Sequence, residues 1–106
     1  MPDLVRVDPY ARKAWAGERL LKLRPPEWRL LVALTAQPGT LLTWRSLAAA
    51  ISTGRPASKK CVQINAVRVR SQLGDPAYVQ TVPGVGLRFT ADLAEDIYLG
   101  EEKHRG

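Results

Sequence analysis

The sequence is poor in the residues that build disulfides, metal sites and membrane spans. Its 106 residues include one cysteine and one histidine, which excludes an internal disulfide and a Cys/His zinc site. No apolar run approaches the roughly 18 residues that a membrane-spanning helix requires, and the N-terminus lacks a basic-then-apolar signal region. We therefore expect one domain in the cytoplasm, with no metal, no cofactor and no membrane partner.

Acidic side chains are also scarce, except at the C-terminal end. Residues 1–91 contain 14 basic and five acidic side chains, whereas residues 92–106 contain two basic and five acidic ones. A strongly basic body is typical of a protein that binds a polyanion, although a solubilising surface charge would give the same balance. We assign residues 1–90 to one domain and residues 91–106 to an acidic tail, with a short helix expected at 91–99.

The pattern of apolar and turn residues predicts an α+β domain. Alternating segments separated by turn residues predict three short antiparallel strands, at residues 4–8, 11–16 and 19–23. Two prolines begin a first helix, which ends before Pro38. Residues 41–42 are interpreted as an apolar link. Two further strands, at residues 78–82 and 85–89, are expected to form a hairpin through Pro83 and Gly84.

Two helices are predicted between the apolar link and the hairpin. Thr43 is a suitable N-cap for the second helix, and Ser58 is a suitable N-cap for the third. Gly74 is expected to end the third helix, which spans residues 59–73.

The third helix has two contrasting faces. At 100° per residue, one narrow apolar stripe points in a single direction and must face the core; it consists of Val62, Ala66, Val69 and Leu73. The opposite side places Ile64 and Val67 at its centre, with Gln63, Arg68 and Arg70 towards its flanks. Arginine and glutamine pair with base edges in the DNA major groove, and apolar side chains contact thymine methyl groups. Lys59 and Lys60, at the N-terminus of this helix, are expected near phosphates.

Three motifs, in this order along the chain, resemble the effector domains of OmpR/PhoB-type response regulators. Residues 23–31 (LRPPEWRLL) resemble the start of the first helix, usually Leu-Thr-Pro-x-Glu-Phe-x-Leu-Leu. Residues 62–76 (VQINAVRVRSQLGDP) resemble the helix that enters the major groove, and residues 81–89 (TVPGVGLRF) resemble the wing. The resemblance implies a winged helix-turn-helix with an N-terminal antiparallel sheet, three helices and a C-terminal β-hairpin wing.

The same resemblance implies a DNA-binding transcription regulator. This chain lacks the receiver domain of response regulators, so it is either a free-standing effector domain or a fragment of a longer regulator. Gln63, Ile64, Asn65 and Val67 match groove-facing positions, Arg68 and Arg70 match basic positions of the helix motif, and Thr81 matches a phosphate-contacting wing position. Residues 52–58, with Thr53, Gly54 and Arg55, match the loop that contacts RNA polymerase in some members.

Two classes of function stay open on the sequence. The first is a regulator that binds double-stranded DNA, with a homodimer on DNA as one arrangement. The second is a winged helix that binds protein, in which exposed Ile64 and Val67 face RNA polymerase, another regulator or an identical subunit. An enzyme is not expected, because no acid/base pair, metal cluster or activated nucleophile is recognisable.

Overall fold

A computed structural model describes residues 4–55, 57–75 and 78–90 of the chain. An N-terminal sheet is followed by three helices and a second sheet. The elements, in chain order, are β1 (Val5–Asp8), β2 (Lys13–Ala16), β3 (Arg19–Leu20), α1 (Pro25–Ala36), β4 (Leu41–Thr43), α2 (Trp44–Ile51), α3 (Lys59–Leu73), β5 (Val79–Val82) and β6 (Gly86–Phe89). The winged helix-turn-helix architecture predicted from the sequence is confirmed, whereas the expected helix at 91–99 lies outside the described residues.

The N-terminal sheet is antiparallel in the order β1-β2-β3. Val5 pairs with Ala16 and Val7 pairs with Ala14, and all four side chains are buried. Burial on one face with polar residues between is what the period-two alternation of a strand requires. The three predicted strands are therefore confirmed, although the third is only two residues long.

The first helix begins at its two prolines without a capping hydroxyl. Arg24 stands at the N-cap, and its backbone N–H donates to Glu27 Oε1 at 3.1 Å. Proline has no N–H to satisfy, which makes it suitable for a first helical turn. The carboxylate of Glu27, in the first turn, therefore accepts the N–H of the N-cap residue, and its negative charge interacts favourably with the positive end of the helix dipole.

The predicted N-caps of the other two helices and the predicted stop of the third helix are confirmed. Thr43 Oγ1 accepts the N–H of Ser46 at 3.1 Å, and Ser58 Oγ accepts the N–H of Cys61 at 3.1 Å. Gly74 ends α3 with a φ of 89°, a left-handed conformation that glycine adopts without a steric penalty. These caps define the start and the end of the helix that carries the candidate site.

The apolar link expected at residues 41–42 is instead a strand. β4 pairs with β6, so the wing belongs to a three-stranded antiparallel sheet in the order β4-β6-β5. Gly86 permits this pairing, because a Cβ at that position would lie 1.7 Å from the carbonyl oxygen of Leu42. The prediction failed because strand pairing depends on a partner more than 40 residues further along the chain.

One core lies between the two sheets and the three helices. Its largest fully buried side chains include three leucines of α1, one leucine of α2 and both apolar residues of β6. In the described ranges, no helix is long and apolar enough to cross a membrane.

Candidate nucleic-acid interface

The inner face of α3 is packed into the core, as its apolar stripe predicts. Val62, Ala66, Val69 and Leu73 are each at most 2% exposed. The opposite side is open, and we call it the outer face of α3; it consists of Lys60, Gln63, Ile64, Val67, Arg68 and Ser71. A helix anchored along one side in this way presents the other side as a rigid convex surface.

The centre of the outer face is apolar. Ile64 is 47% exposed and Val67 is 62% exposed, and residues three apart on a helix are neighbours on its surface. Gln63 and Arg68 lie on either side of this pair, and Lys60 lies towards the helix N-terminus. The face thus combines two apolar side chains with an amide and cations, which suits contact with thymine methyl groups, base edges and phosphates.

Arg68 is held at the edge of the outer face by a carboxylate of α1. Its Nε lies 3.8 Å from Glu27 Oε2, where the Glu27 side chain is 5% exposed and that of Arg68 is 49% exposed. The buried carboxylate, which also caps α1, therefore faces a half-exposed guanidinium. This contact restricts Arg68 without covering it.

Arg70 points towards the wing, where it meets another predicted site residue. Its Nε donates to the carbonyl oxygen of Val79 at 2.8 Å, and its Nη2 donates to Thr81 Oγ1. Desolvation by burial lowers the pKa of the Arg70 guanidinium, yet arginine remains protonated throughout the physiological range. The two residues that were expected to bind DNA separately therefore bind each other and connect α3 with β5.

Asn65 is not groove-facing, so that expectation was wrong. Its side chain is buried at 6% exposure, and its Nδ2 donates to the carbonyl oxygen of Cys61 at 2.9 Å. Asn65 follows Val62 by three residues, which turns it by 300° and leaves it only 60° from the core stripe. Its amide is used inside the helix and is not presented to a ligand.

The N-terminal end of α3 carries two lysines with different surroundings. Lys59 Nζ lies 5.2 Å from the centroid of the Trp44 ring, a cation–π arrangement, whereas Lys60 belongs to the outer face. Both side chains are exposed. The positive end of the helix dipole adds to their charge, so this end of α3 attracts anions.

The loop before α3 exposes the three residues assigned to polymerase contact. Thr53, Gly54 and Arg55 are all exposed, and Thr53 bridges to Arg55 across the glycine. The base of the loop is fastened by Ser52 Oγ, which donates to the carbonyl oxygen of Ala48 at 2.5 Å and accepts the N–H of Ala57 at 2.8 Å. The loop is therefore an exposed turn on a fixed base.

The Arg70→Ala variant is expected to lose about 1–2 kcal/mol of unfolding free energy, because two hydrogen bonds from a charged donor disappear. Arg70→Lys should recover only part of this loss, since one ammonium cannot replace the planar fork of a guanidinium. Urea denaturation measures both variants. Arg88→Ala is the matched control, because Arg88 donates to the exposed Gln80 side chain on the same sheet. Equal losses at positions 70 and 88 would contradict the proposed connection.

The comparisons with known proteins agree with this architecture. The family model described as "Transcriptional regulatory protein, C terminal" matches residues 17–89. No curated protein sequence matches the chain.

Solved structures of response regulators share the fold. The DNA-binding domain of the response regulator AdeR, solved in complex with an intercistronic region, has a TM-score of 0.74 and 20% identity, covering 86% of this chain and 97% of that one. The DNA-binding domain of Klebsiella pneumoniae RstA, in complex with the RstA box, has a TM-score of 0.71 and 20% identity, covering 85% and 94%.

A longer regulator matches in part of its length. DrrB from Thermotoga maritima, an OmpR/PhoB homologue, has a TM-score of 0.72 and 25% identity, covering 80% of this chain. This chain spans 41% of DrrB. Because the family model covers more than half of the 106 residues, the chain belongs to the family of C-terminal domains of transcriptional regulatory proteins, the OmpR/PhoB-type winged-helix domains that bind DNA.

Proposed function

We propose that the chain binds double-stranded DNA by placing the outer face of α3 in the major groove. The observation that supports this most strongly is the apolar pair at the centre of that face, flanked by an amide and a guanidinium. In the proposed complex Arg68 donates to a guanine, Gln63 pairs with an adenine, and Ile64 and Val67 contact thymine methyl groups. Arg70 and Asn65 contribute to this surface indirectly, because their hydrogen bonds stabilise α3 and its connection with β5.

Phosphate contacts supply most of the affinity in this proposal. Residues 4–55, 57–75 and 78–90 contain 14 basic and four acidic side chains, which favours a polyanionic ligand. Lys59 and Lys60, at the N-terminus of α3, contact phosphates of the DNA backbone. The hydroxyl of Thr81, in the wing, contacts another phosphate. Residues 81–85 contain no lysine or arginine, so the wing tip contributes shape complementarity but no charge.

The proposed assembly includes further partners. The exposed turn of Thr53, Gly54 and Arg55 contacts RNA polymerase when the chain is bound beside a promoter. A single module buries about 600–1,000 Å² on DNA, and two copies on adjacent half-sites double this area and the number of base contacts. Because its ligand is chromosomal DNA, the chain acts in the cytoplasm. Its role in this proposal is to bind DNA and not to catalyse a reaction.

A second function is favoured by the same exposed apolar pair. Ile64 and Val67 are as suitable for a protein surface as for thymine methyl groups, because exposed apolar side chains on one rigid face mark interaction sites. In that case α3 binds RNA polymerase, another regulator or a second copy of this chain. The two functions make different predictions: only the first requires that the chain bind some DNA sequences more tightly than others.

Selection from a random duplex pool at two salt concentrations tests the first function. We expect one motif to be enriched at both concentrations. Affinity for it should fall about 100-fold between 50 and 200 mM salt if four phosphates are contacted. Uniform recovery of all sequences would reject base recognition. Co-purification of RNA polymerase with the chain from nuclease-treated extract would favour the second function, because no DNA is left to connect the two.

The selected site then tests the apolar pair. Replacing each thymine by deoxyuridine removes only the C5 methyl group, so hydrogen bonding to the base is unchanged. We expect weaker binding at one or two positions, and we expect this difference to vanish in the Ile64→Ala, Val67→Ala double variant. Ser71→Ala, on the same face, is the matched control and should retain the effect.

A further inference from the structure

A basic groove lies between the N-terminal sheet and the first turn of α1, and none of its lining residues is among those assigned to DNA. Two adjoining cavities of about 210 and 250 Å³ form it, and they share Arg12, Leu23 and Trp28. We call this feature the N-terminal groove. The proposed DNA contacts leave it without a role.

The lining of the groove combines apolar surface with positive charge. Leu23 and Trp28 pack against the core and form its apolar part. Its basic side chains are Arg12, Lys13, Lys22 and Arg29, and none of the described residues that line it is acidic. A segment that carries carboxylates and apolar side chains together would satisfy both properties.

Two contacts to other elements hold the basic side of the groove in place. The Arg29 guanidinium donates to the carbonyl oxygen of Ile51 at the end of α2, through Nε at 3.4 Å and Nη2 at 3.2 Å. The backbone N–H of Lys22 donates to Gln72 Oε1 of α3 at 2.8 Å. The groove is therefore supported by all three helices, so its shape does not depend on the short strand β3 alone.

The chain itself contains a segment with the complementary composition. Residues 91–102 have the sequence ADLAEDIYLGEE, which contains five acidic residues and no basic one. Its first three carboxylates, at positions 92, 95 and 96, alternate with Leu93 and Ile97, and Tyr98 and Leu99 follow.

The described chain ends at Thr90, beside Tyr78 and the residues that follow α3. Thr90 N–H donates to the carbonyl oxygen of Tyr78, and Tyr78 N–H donates to that of Asp75. Asp75 follows Gly74, where a Cβ would lie 3.3 Å from Nη2 of Arg19 in β3, and Lys22 is three residues beyond Arg19. Phe89 accepts the N–H of Gly39, which follows α1, and that helix of 12 residues is about 18 Å long. Six residues in an extended chain span about 20 Å, so the carboxylates at positions 92, 95 and 96 can extend along α1 towards its first turn.

We propose that the acidic segment 91–102 binds the N-terminal groove of its own chain. The carboxylates face the four cations, and the apolar side chains cover Leu23 and Trp28. The bound segment ties the C-terminal end of the domain to its N-terminal sheet, and it neutralises a basic surface that would otherwise attract DNA without sequence preference.

Carbodiimide cross-linking of the full chain tests this proposal, because the reagent joins a carboxylate to a lysine only when the two are in contact. The chain has five lysines: Lys13 and Lys22 at the groove, Lys59 and Lys60 at the start of α3, and Lys103 in the tail itself. We expect links from positions 92, 95 and 96 to Lys13 and Lys22 to exceed those to Lys59 and Lys60 at least about threefold at low salt. High salt should remove this excess by screening.

The chain unfolded in guanidinium provides the baseline, since its links reflect sequence separation alone. The Arg12→Gln, Arg29→Gln variant should lower the groove links while preserving every lysine, whereas the Arg45→Gln, Arg55→Gln variant removes the same charge elsewhere. Links mainly to Lys59 and Lys60, or a ratio equal to that of the unfolded chain, would overturn the proposal. No DNA is present, so this outcome is independent of the proposed DNA binding.

Discussion

The Arg68→Ala variant is expected to bind the selected DNA site about 5- to 150-fold more weakly, a loss of about 1–3 kcal/mol. Arg68 is half-exposed at the edge of the outer face, and its Nε is 3.8 Å from the buried carboxylate of Glu27. A guanidinium restricted in this way loses less conformational freedom when it binds a guanine. Fluorescence anisotropy on a panel of single base-pair variants should show that the preference at one position disappears.

The control for this prediction separates recognition from support. Glu27→Gln weakens the ion pair while retaining an oxygen for the Arg24 N–H, so it should lower affinity less and leave the base preference in place. Arg55→Ala removes a cation outside the outer face and should change the affinity for all sequences equally. If Arg68→Ala binds every variant of the panel like the unmodified chain, Arg68 does not contact a base.

The Gly86→Ala variant is expected to lose about 4 kcal/mol or more of unfolding free energy, or to fail to fold. The new Cβ would lie 1.7 Å from the carbonyl oxygen of Leu42 and 2.9 Å from the Cα of Thr43. Both obstacles are backbone atoms, so a side-chain rotation cannot relieve the overlap and β4 must separate from β6. Urea denaturation monitored by circular dichroism measures the loss.

Gly84→Ala is the matched control in the same hairpin. Gly84 has a φ of 76°, and a Cβ at this position would meet no other atom within 4 Å. Alanine there therefore incurs only backbone strain, of about 1–2 kcal/mol, and Gly86→Ala should cost at least twice as much. Similar losses at the two positions would show that β4 accommodates the methyl group and does not require glycine opposite it.

Three attachments together orient α3. Its apolar stripe packs in the core, Glu27 contacts it from α1, and Arg70 connects it with β5. Each attachment leaves the outer face uncovered. The angle between α3 and the wing therefore depends on residues that need not touch DNA themselves.

Much of the local structure was predictable because it depends on near neighbours in the chain. The caps at Thr43 and Ser58, and the stop at Gly74, each act within four residues. The core stripe of α3 follows from helix geometry alone. β4 was missed because its pairing with β6 is a contact between distant residues, and a two-residue apolar segment has no periodicity to measure.

In the candidate site, too, some features follow from the sequence and others only from the tertiary structure. Helical angles by themselves determined that Ile64 and Val67 are exposed opposite Val62, because rotation per residue is a property of the helix. They could not say what lies beside each flank. Arg70 and Arg68 have the same side chain on the same helix, yet Arg70 donates to β5 of the wing and Arg68 pairs with Glu27 of α1. The difference arises because the packing of elements that are distant in the chain decides which acceptors surround each arginine.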